Sequence, residues 1–454
     1  MLSKIKKSLT TNKKNIAKIS SGTLLGQVIS IILLPILTRI YGPTVIGFWT
    51  LLIAISTIIR SFSDIGLTKS IMIEEDENIE RTYKVITTTV LFISILSSML
   101  ITMYFSIVPT NISISLTFLF AFSMVLFFTT QQIQVCYTWL NRKGEYNVLM
   151  KNPLINNLVY GSVAVSLGLL GMDLYGYFIG HIVGQVVTLI HMKRHLPNKF
   201  FTFKFEDYKL CISNNKRFVK YQMPTGVLTN FKNQLPILLI EGLWGTKLLG
   251  YYSITVRLLG IPITILASAI GRVFFQTISN KQKKGNDIGY FVFRNMTNGM
   301  KVAIIPIALL MAFGDIITII FLGSDWKIAG DFVRILAIQY FFMFLMNTVQ
   351  GLEVTINKQK YAMISCIVQI FFSILGALIG KFVFDDIYFG LFLMTIFFII
   401  INITYFSILF KVMNISSKKY IKNAILCVLL ILLLSAVFRS VFNFFGIIDI
   451  MYRF

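Results

Sequence analysis

The sequence predicts an all-α polytopic membrane protein: two parallel six-helix lobes followed by about one extra C-terminal span. Three observations predict it. The 454 residues are 56% hydrophobic and only 13% charged, where soluble domains carry about a quarter charged residues. The apolar residues come in blocks, recurring from Ile19 to Phe445, near the roughly 20 residues a helix needs to cross a bilayer. One stretch is also written twice. "LPILTRIYGPTVIGFW" occupies 34–49 and "LPILLIEGLWGTKLLGYY" occupies 235–252. Each begins Leu-Pro-Ile-Leu and closes on a glycine followed by two aromatics.

Residues 1–18 form a basic N-terminus with six lysines, among them Lys4, Lys13 and Lys18. The apolar stretch behind it is too long for a signal-peptide core and has no small-residue cleavage site, so an uncleaved first span is expected. Spans are expected at 19–40, 45–67, 84–108, 112–138, 148–170, 174–192, 217–240, 248–274, 296–322, 328–352, 361–383, 387–410 and 421–445. Alternate loops are basic: Arg142 and Lys143; 193–220; Lys281 to Arg294; Lys358 and Lys360; Lys411 to Lys422. Basic loops stay on the cytoplasmic side, which places the N-terminus there. The segment Ile73–Glu80 is an acidic exception, and acids contribute little to orientation. The basic loop 193–216 divides an N-lobe, 19–192, from a C-lobe, 217–410. Residues 411–454 supply the extra span and tail. Each repeated stretch is the first span of a lobe and its turn into the second. Six spans is an even number, so both copies cross the membrane in the same sense, as in transporters built from parallel repeats.

Several function classes are not suggested. The net charge of +23 is distributed over short loops rather than one surface, so nucleic acid is not indicated. Cys136, Cys211, Cys366 and Cys427 are scattered, with no metal-ligand spacing and no disulfide framework. No phosphate-cradling glycine loop, nucleophile motif or histidine cluster occurs. Neither an enzyme nor a cofactor or metal is expected.

Ionisable residues inside a span cost about 2.5–3.5 kcal/mol on insertion scales and normally face a bundle interior or a wet cavity. Arg60 lies within the second span, with Asp64 four residues on and on the same helix face. The pair fits a cationic site tuned by a carboxylate; a structural ion pair is the plainer alternative. Arg257 lies in the eighth span with no acid within four residues. Its forked guanidinium suits phosphate oxygens, and pairing with Glu241 or Asp315 is the alternative. Lys69 and Arg272 stand near span ends, where snorkelling explains them equally well. Asp64, His181, Glu241 and Glu353 are candidates for coupling to protons or sodium; for His181, which shares a face with Gln185, packing is the competing explanation. Arginines on the second and eighth helices would repel cationic drugs and hold a phosphate or diphosphate, leaving a lipid tail in the bilayer.

"LTRIYGPTVIGFW", "SDIGL" after Arg60, "WLNRKGEY" at 139–146, "GYYSITVRLLGIP" at 250–262 and "FLGSDWKIAGDFVRILA" at 321–337, in this order, resemble bacterial polysaccharide flippases of the Wzx type, in the superfamily that also holds MATE exporters. The resemblance implies a MATE-like core with a V-shaped central cavity and alternating access. It implies translocation of undecaprenyl-diphosphate-linked oligosaccharide to the outer leaflet of the bacterial cytoplasmic membrane, for O-antigen, capsule or a similar glycan. Its partners would be that lipid-linked substrate, membrane lipids, and a polysaccharide polymerase with its chain-length machinery. Related flippases carry cavity arginines in the first, second and eighth helices; Arg60 and Arg257 fall in the second and eighth, whereas the first offers only Arg39 near its outer end. A MATE-like drug or metabolite antiporter is the alternative, and it predicts an acidic cavity. A polysaccharide polymerase would need a larger outer loop than any here, and a non-transporting scaffold leaves the intramembrane charges unexplained.

Overall fold

A computed structural model describes residues 2–63, 65–107, 114–197, 200–216, 219–220, 223–283 and 287–444. The regular elements are helical throughout these residues. The long helices are α1 (Leu2–Ile40), α2 (Pro43–Ser63), α3 (Ile79–Ile107), α4 (Leu116–Lys143), α5 (Tyr146–Leu169) and α6 (Asp173–Lys193). The short α7 (Phe205–Asn214) follows, then α8 (Met223–Trp244), α9 (Thr246–Pro262), α10 (Ser268–Lys283), α11 (Gly289–Leu322) and α12 (Lys327–Thr348). One turn, α13 (Leu352–Thr355), precedes α14 (Gln359–Phe382), α15 (Ile387–Val412) and α16 (Ser417–Phe444).

Each of the thirteen expected spans meets a long helix. Eleven helical segments among the described residues are long and apolar enough to cross a membrane. The two others, α5 and α8, are diluted by polar residues, including Asn152, Asn156 and Asn157 in the first and Thr229, Asn230 and Lys232 in the second. The eighth expected span is broken: α9 passes through a π-helical stretch, Ile263–Ala267, into α10. The π-turn follows directly on Pro262, whose ring cannot donate to the helical ladder. The extra C-terminal span falls on one continuous helix, α16, through Phe444.

The chain forms two compact units, residues 1–45 with 51–234, and residues 46–50 with 235–454. In the first, α1 packs on α5, α5 on α6, α3 on α4 and α7 on α3. Glycine brings α1 close to α5: a Cβ at Gly22 would lie 2.1 Å from the Met150 carbonyl oxygen, and one at Gly26 would strike Pro153. Small residues four apart allow this approach where lipid gives no hydrophobic drive for helix association. Tyr41 closes the end of this packing by donating its hydroxyl to the Ala164 carbonyl, 2.6 Å. The outward side of α3 exposes Leu96, Met99, Leu100 and Met103, as a lipid-facing helix should.

In the second unit α11 packs on α12, α14 on α15, and α16 on α11. The residues of α2 assigned to this unit explain the repeated stretch. A Cβ at Gly47 would lie 2.0 Å from the Thr246 carbonyl oxygen and 2.9 Å from the Gly250 amide nitrogen. The glycines that close the two copies of the repeat therefore meet, backbone against backbone.

The region 193–216 is not only a basic loop. Thr202 donates its backbone amide to Thr88 of α3, 3.0 Å, and Arg81 pairs with Asp207 at 3.2 Å. Cys211 is buried and its thiol donates weakly to Thr82, 3.6 Å. Burial pushes that thiol up from its ordinary range. The acidic exception in the sequence is bound into the same region: Arg142 donates to Asp76 at 2.8 Å and to the Ile71 carbonyl at 2.7 Å, and Asn215 to Glu74 at 2.7 Å.

Candidate functional site

The first unit contains a cavity of about 480 Å³, and the way its walls are built follows from local sequence. Arg60 sits in the last turn of α2. Beyond it the chain reverses through Ile65 and Gly66, both left-handed at φ 50° and 73°. That conformation is natural for Gly66 and strained for a β-branched residue. Burial of Leu67 and Ile71, both fully enclosed in the cluster formed by α3 and α4, holds the turn in place. The reversal brings Lys69 to the same cavity as Arg60.

The rest of the described lining is uncharged, neutral polar side chains mixed with Val90, Val135 and Met223. Gln131, Gln134 and Thr138 of α4 lie at i, i+3 and i+7, one stripe of a helix. The first turns of α8 add Thr225, Thr229 and Asn230. Asn230 donates its amide to the Ser61 hydroxyl, 2.6 Å, tying α8 to the end of α2. Ser63 donates to the Arg60 carbonyl at 3.1 Å. Among the described lining residues the only charges are Arg60 and Lys69, and no carboxylate is present. Arg60 is half-buried and Lys69 exposed. A half-buried guanidinium keeps more of its Coulomb attraction for an anion than a solvated one.

The other sequence-predicted residues lie elsewhere. Asp64 falls outside the described residues. Arg257 is half-buried on α9 and Arg272 exposed on α10, both in the second unit. Asp315, the acid weighed as a partner for Arg257, engages Arg439 of α16 through both carboxylate oxygens at 2.9 Å, and Arg439 also donates to the Ala312 carbonyl at 3.1 Å. Arg334 approaches the same carboxylate at 4.0 Å. His181 stacks on the Tyr160 ring at 3.7 Å and meets Tyr177 edge-on at 4.9 Å. Its face-mate Gln185 accepts from Thr129 and Thr130. Glu241 accepts from Thr246, 2.7 Å, at the junction of α8 and α9. Glu353 is half-buried on α13.

Sequence reasoning passed over Gln131, Asn230 and Arg439. The signal for Gln131 was present: "QQIQ" puts three glutamines within one turn of an apolar helix. Arg439 likewise lies inside an expected span, where an ionisable residue needs a partner.

The comparisons with known proteins agree with this architecture. The model of the family described as "Polysaccharide biosynthesis protein" matches residues 36–331. No curated protein sequence gives a significant match. A solved structure of the lipid II flippase MurJ in an inward closed conformation is similar at TM-score 0.68 and 13% identity, over 94% of this chain and 99% of that one. A multidrug resistance MATE family transporter of the MOP superfamily, inward-facing, is similar at TM-score 0.55 and 13% identity, over 88% and 99%. A MOP superfamily transporter from Pyrococcus furiosus, whose binding pocket is described as having reverse polarity, is similar at TM-score 0.56 and 12% identity, over 88% and 96%. At these identities the likeness fixes the fold, which is the MATE-like class the sequence predicts.

Proposed function

The chain belongs to the polysaccharide biosynthesis protein family, and from that premise we propose that it flips undecaprenyl-diphosphate-linked oligosaccharide repeat units from the cytoplasmic to the outer leaflet by alternating access. The observation that carries this is the sign of the cavity: Arg60 and Lys69 among hydroxyls and amides, with no carboxylate among the described lining residues. A diphosphate offers oxygens that only accept hydrogen bonds, and a guanidinium offers only donors in a matching fork. The sugars that follow the diphosphate need neutral donors and acceptors, which α4 and α8 supply. The lipid tail needs no site of its own, because the outer faces of the helices are apolar.

In this proposal the protein lies in the bacterial cytoplasmic membrane with its N-terminus inside. The N-lobe, 19–192, and the C-lobe, 217–410, are the moving bodies. Arg257 and Arg272 provide the second lobe's cations. Asp64, His181, Glu241 and Glu353 are the groups to test for proton or sodium coupling. The head group shifts the population of states only if its contacts differ between them, so Arg60 must hold the diphosphate more tightly in one state than in the other. A polymerase and its chain-length machinery would consume the product outside.

The test is surface glycan in a strain lacking its own polysaccharide flippase, with wild type, Arg60→Ala and Arg257→Ala at matched membrane levels. Wild type should restore the glycan. Loss of charge-assisted hydrogen bonds worth about 1.5–3 kcal/mol should lower transport by at least about tenfold in Arg60→Ala. Wild-type transport by both variants would make these arginines structural and remove the assignment.

A further inference from the structure

Resting on the flippase assignment above, we propose that Gln131 is the residue of the cavity that recognises the hydroxyl-bearing, uncharged part of the ligand, next to the anionic group held by Arg60 and Lys69. Gln131 lines the cavity and is 1% exposed. Neither its Oε1 nor its Nε2 has a hydrogen-bond partner within the protein. Most buried side-chain amides are satisfied; Gln27, Gln132 and Asn402 leave only the oxygen open, whereas Gln131 leaves both ends open at a cavity lining, where a ligand could supply the bonds.

The neighbouring amides sharpen the contrast. Gln132 donates its Nε2 to the Tyr83 hydroxyl at 3.0 Å and to Thr87 at 3.1 Å, inside the α3–α4 core. Asn230 spends its amide on Ser61, 2.6 Å. These two hold helices together. The Gln131 amide holds nothing in the protein, and the residue lines the same cavity as the two cations.

The chemistry of the partner follows from what an amide side chain offers. It has two N–H donors and a carbonyl acceptor. A phosphate oxygen satisfies the N–H groups and leaves Oε1 empty. A sugar satisfies both ends, because each hydroxyl donates and accepts, and an acetamido group carries an N–H and a C=O side by side. Gln131 therefore fits the glycan rather than the diphosphate. Gln134 and Thr138 continue the same stripe of α4, so a second hydroxyl-bearing ring would meet further neutral partners. A site built to hydrogen-bond a group discriminates against ligands that lack it.

The experiment uses the full chain in lipid nanodiscs and two probes: farnesyl diphosphate, and farnesyl diphosphate carrying one N-acetylhexosamine. Kd is measured for wild type, Gln131→Met, Gln131→Glu and Arg60→Gln. Wild type should prefer the sugar-bearing probe by about fivefold or more. Gln131→Met, close in volume and without the amide, should bring that preference below about twofold. Gln131→Glu places a carboxylate beside an anionic ligand and should weaken both probes. Should Gln131→Met not yield folded protein, Gln131→Asn, which withdraws the amide by one methylene, is scored in the same way. A wild-type preference retained in the folded variant overturns the proposal, and shows the amide to be satisfied by water. Absence of a wild-type preference also overturns it. The two assignments fail distinguishably. If neither probe binds wild type, the flippase assignment goes and this one with it. If the sugar-free probe binds in an Arg60-dependent manner and Gln131→Met keeps the preference, only the role of Gln131 is lost.

Discussion

Two arginines on membrane helices, Arg60 and Arg439, have opposite surroundings. Arg439 is gripped by both oxygens of Asp315 at 2.9 Å and by a backbone carbonyl at 3.1 Å. Arg60 stands at a cavity whose described lining holds one further cation, hydroxyls, amides and the apolar Val90, Val135 and Met223, and no carboxylate. A guanidinium supplied with a bidentate carboxylate is a fastening between helices. A guanidinium on a cavity lining that holds no carboxylate among the described residues is the one the proposed function assigns to an anionic head group. At Arg439 the protein itself offsets the cost of bringing the charge into the membrane; at Arg60, under the proposed function, the ligand's diphosphate adds to that offset.

Removing one member of the Arg439–Asp315 pair should have the largest effect. Arg439→Ala takes the bidentate partner from a carboxylate of 3% side-chain exposure, with Arg334 4.0 Å away, and breaking such a pair costs about 3–5 kcal/mol. The expected outcome is loss of monodisperse protein on size exclusion in detergent and a lower Tm. Asp315→Leu combined with Arg439→Met should recover most of that loss, because apolar replacement of a buried pair is often neutral. If Arg439→Ala is as stable as wild type, the pair is no fastening and the contrast with Arg60 collapses.

At Arg60 the expected effect falls on transport instead. Arg60→Lys keeps the charge and loses the fork, so glycan export should lie between those of wild type and Arg60→Ala, while Tm moves less than in Arg439→Ala. A Tm loss in Arg60→Ala equal to that of Arg439→Ala would make the two arginines alike. The smallest effect belongs to Lys69, which is exposed. Lys69→Ala should slow export by about two- to threefold, in keeping with the 0.2–1 kcal/mol of exposed charge pairs. Raising ionic strength should abolish that difference, since screening acts on exposed charges far more than on buried ones. The Arg439–Asp315 pair should be indifferent to the same salt.

Much of the fold was legible in the sequence because the bilayer imposes a length and a polarity on every span. The repeat of "LPIL…G" followed by two aromatics was legible too, and the meeting of Gly47 and Gly250 gives its physical reason. The polar helices α5 and α8 were assigned as spans despite their asparagines, of which Asn157 donates to the Gly26 carbonyl at 2.7 Å and Asn230 to Ser61. The cavity was legible only in part. Arg60 stood out because charge in a span is rare. Its wall of neutral side chains did not, since a glutamine such as Gln131 looks the same in sequence whether it braces a core or waits for a ligand. Nor could spacing reveal that Asp315 would turn to α16 rather than to Arg257, because partners 124 residues apart meet only through tertiary packing.

That separation has a consequence for how the protein is made. Ribosomes deliver the chain from its N-terminus, so α11 enters the membrane with Asp315 long before Arg439 has been translated. The contact between α11 and α16 cannot form until α16 is released. Nascent chains that stop short of α16 should therefore remain open to membrane quality-control proteases, and α16 serves as the seal on α11.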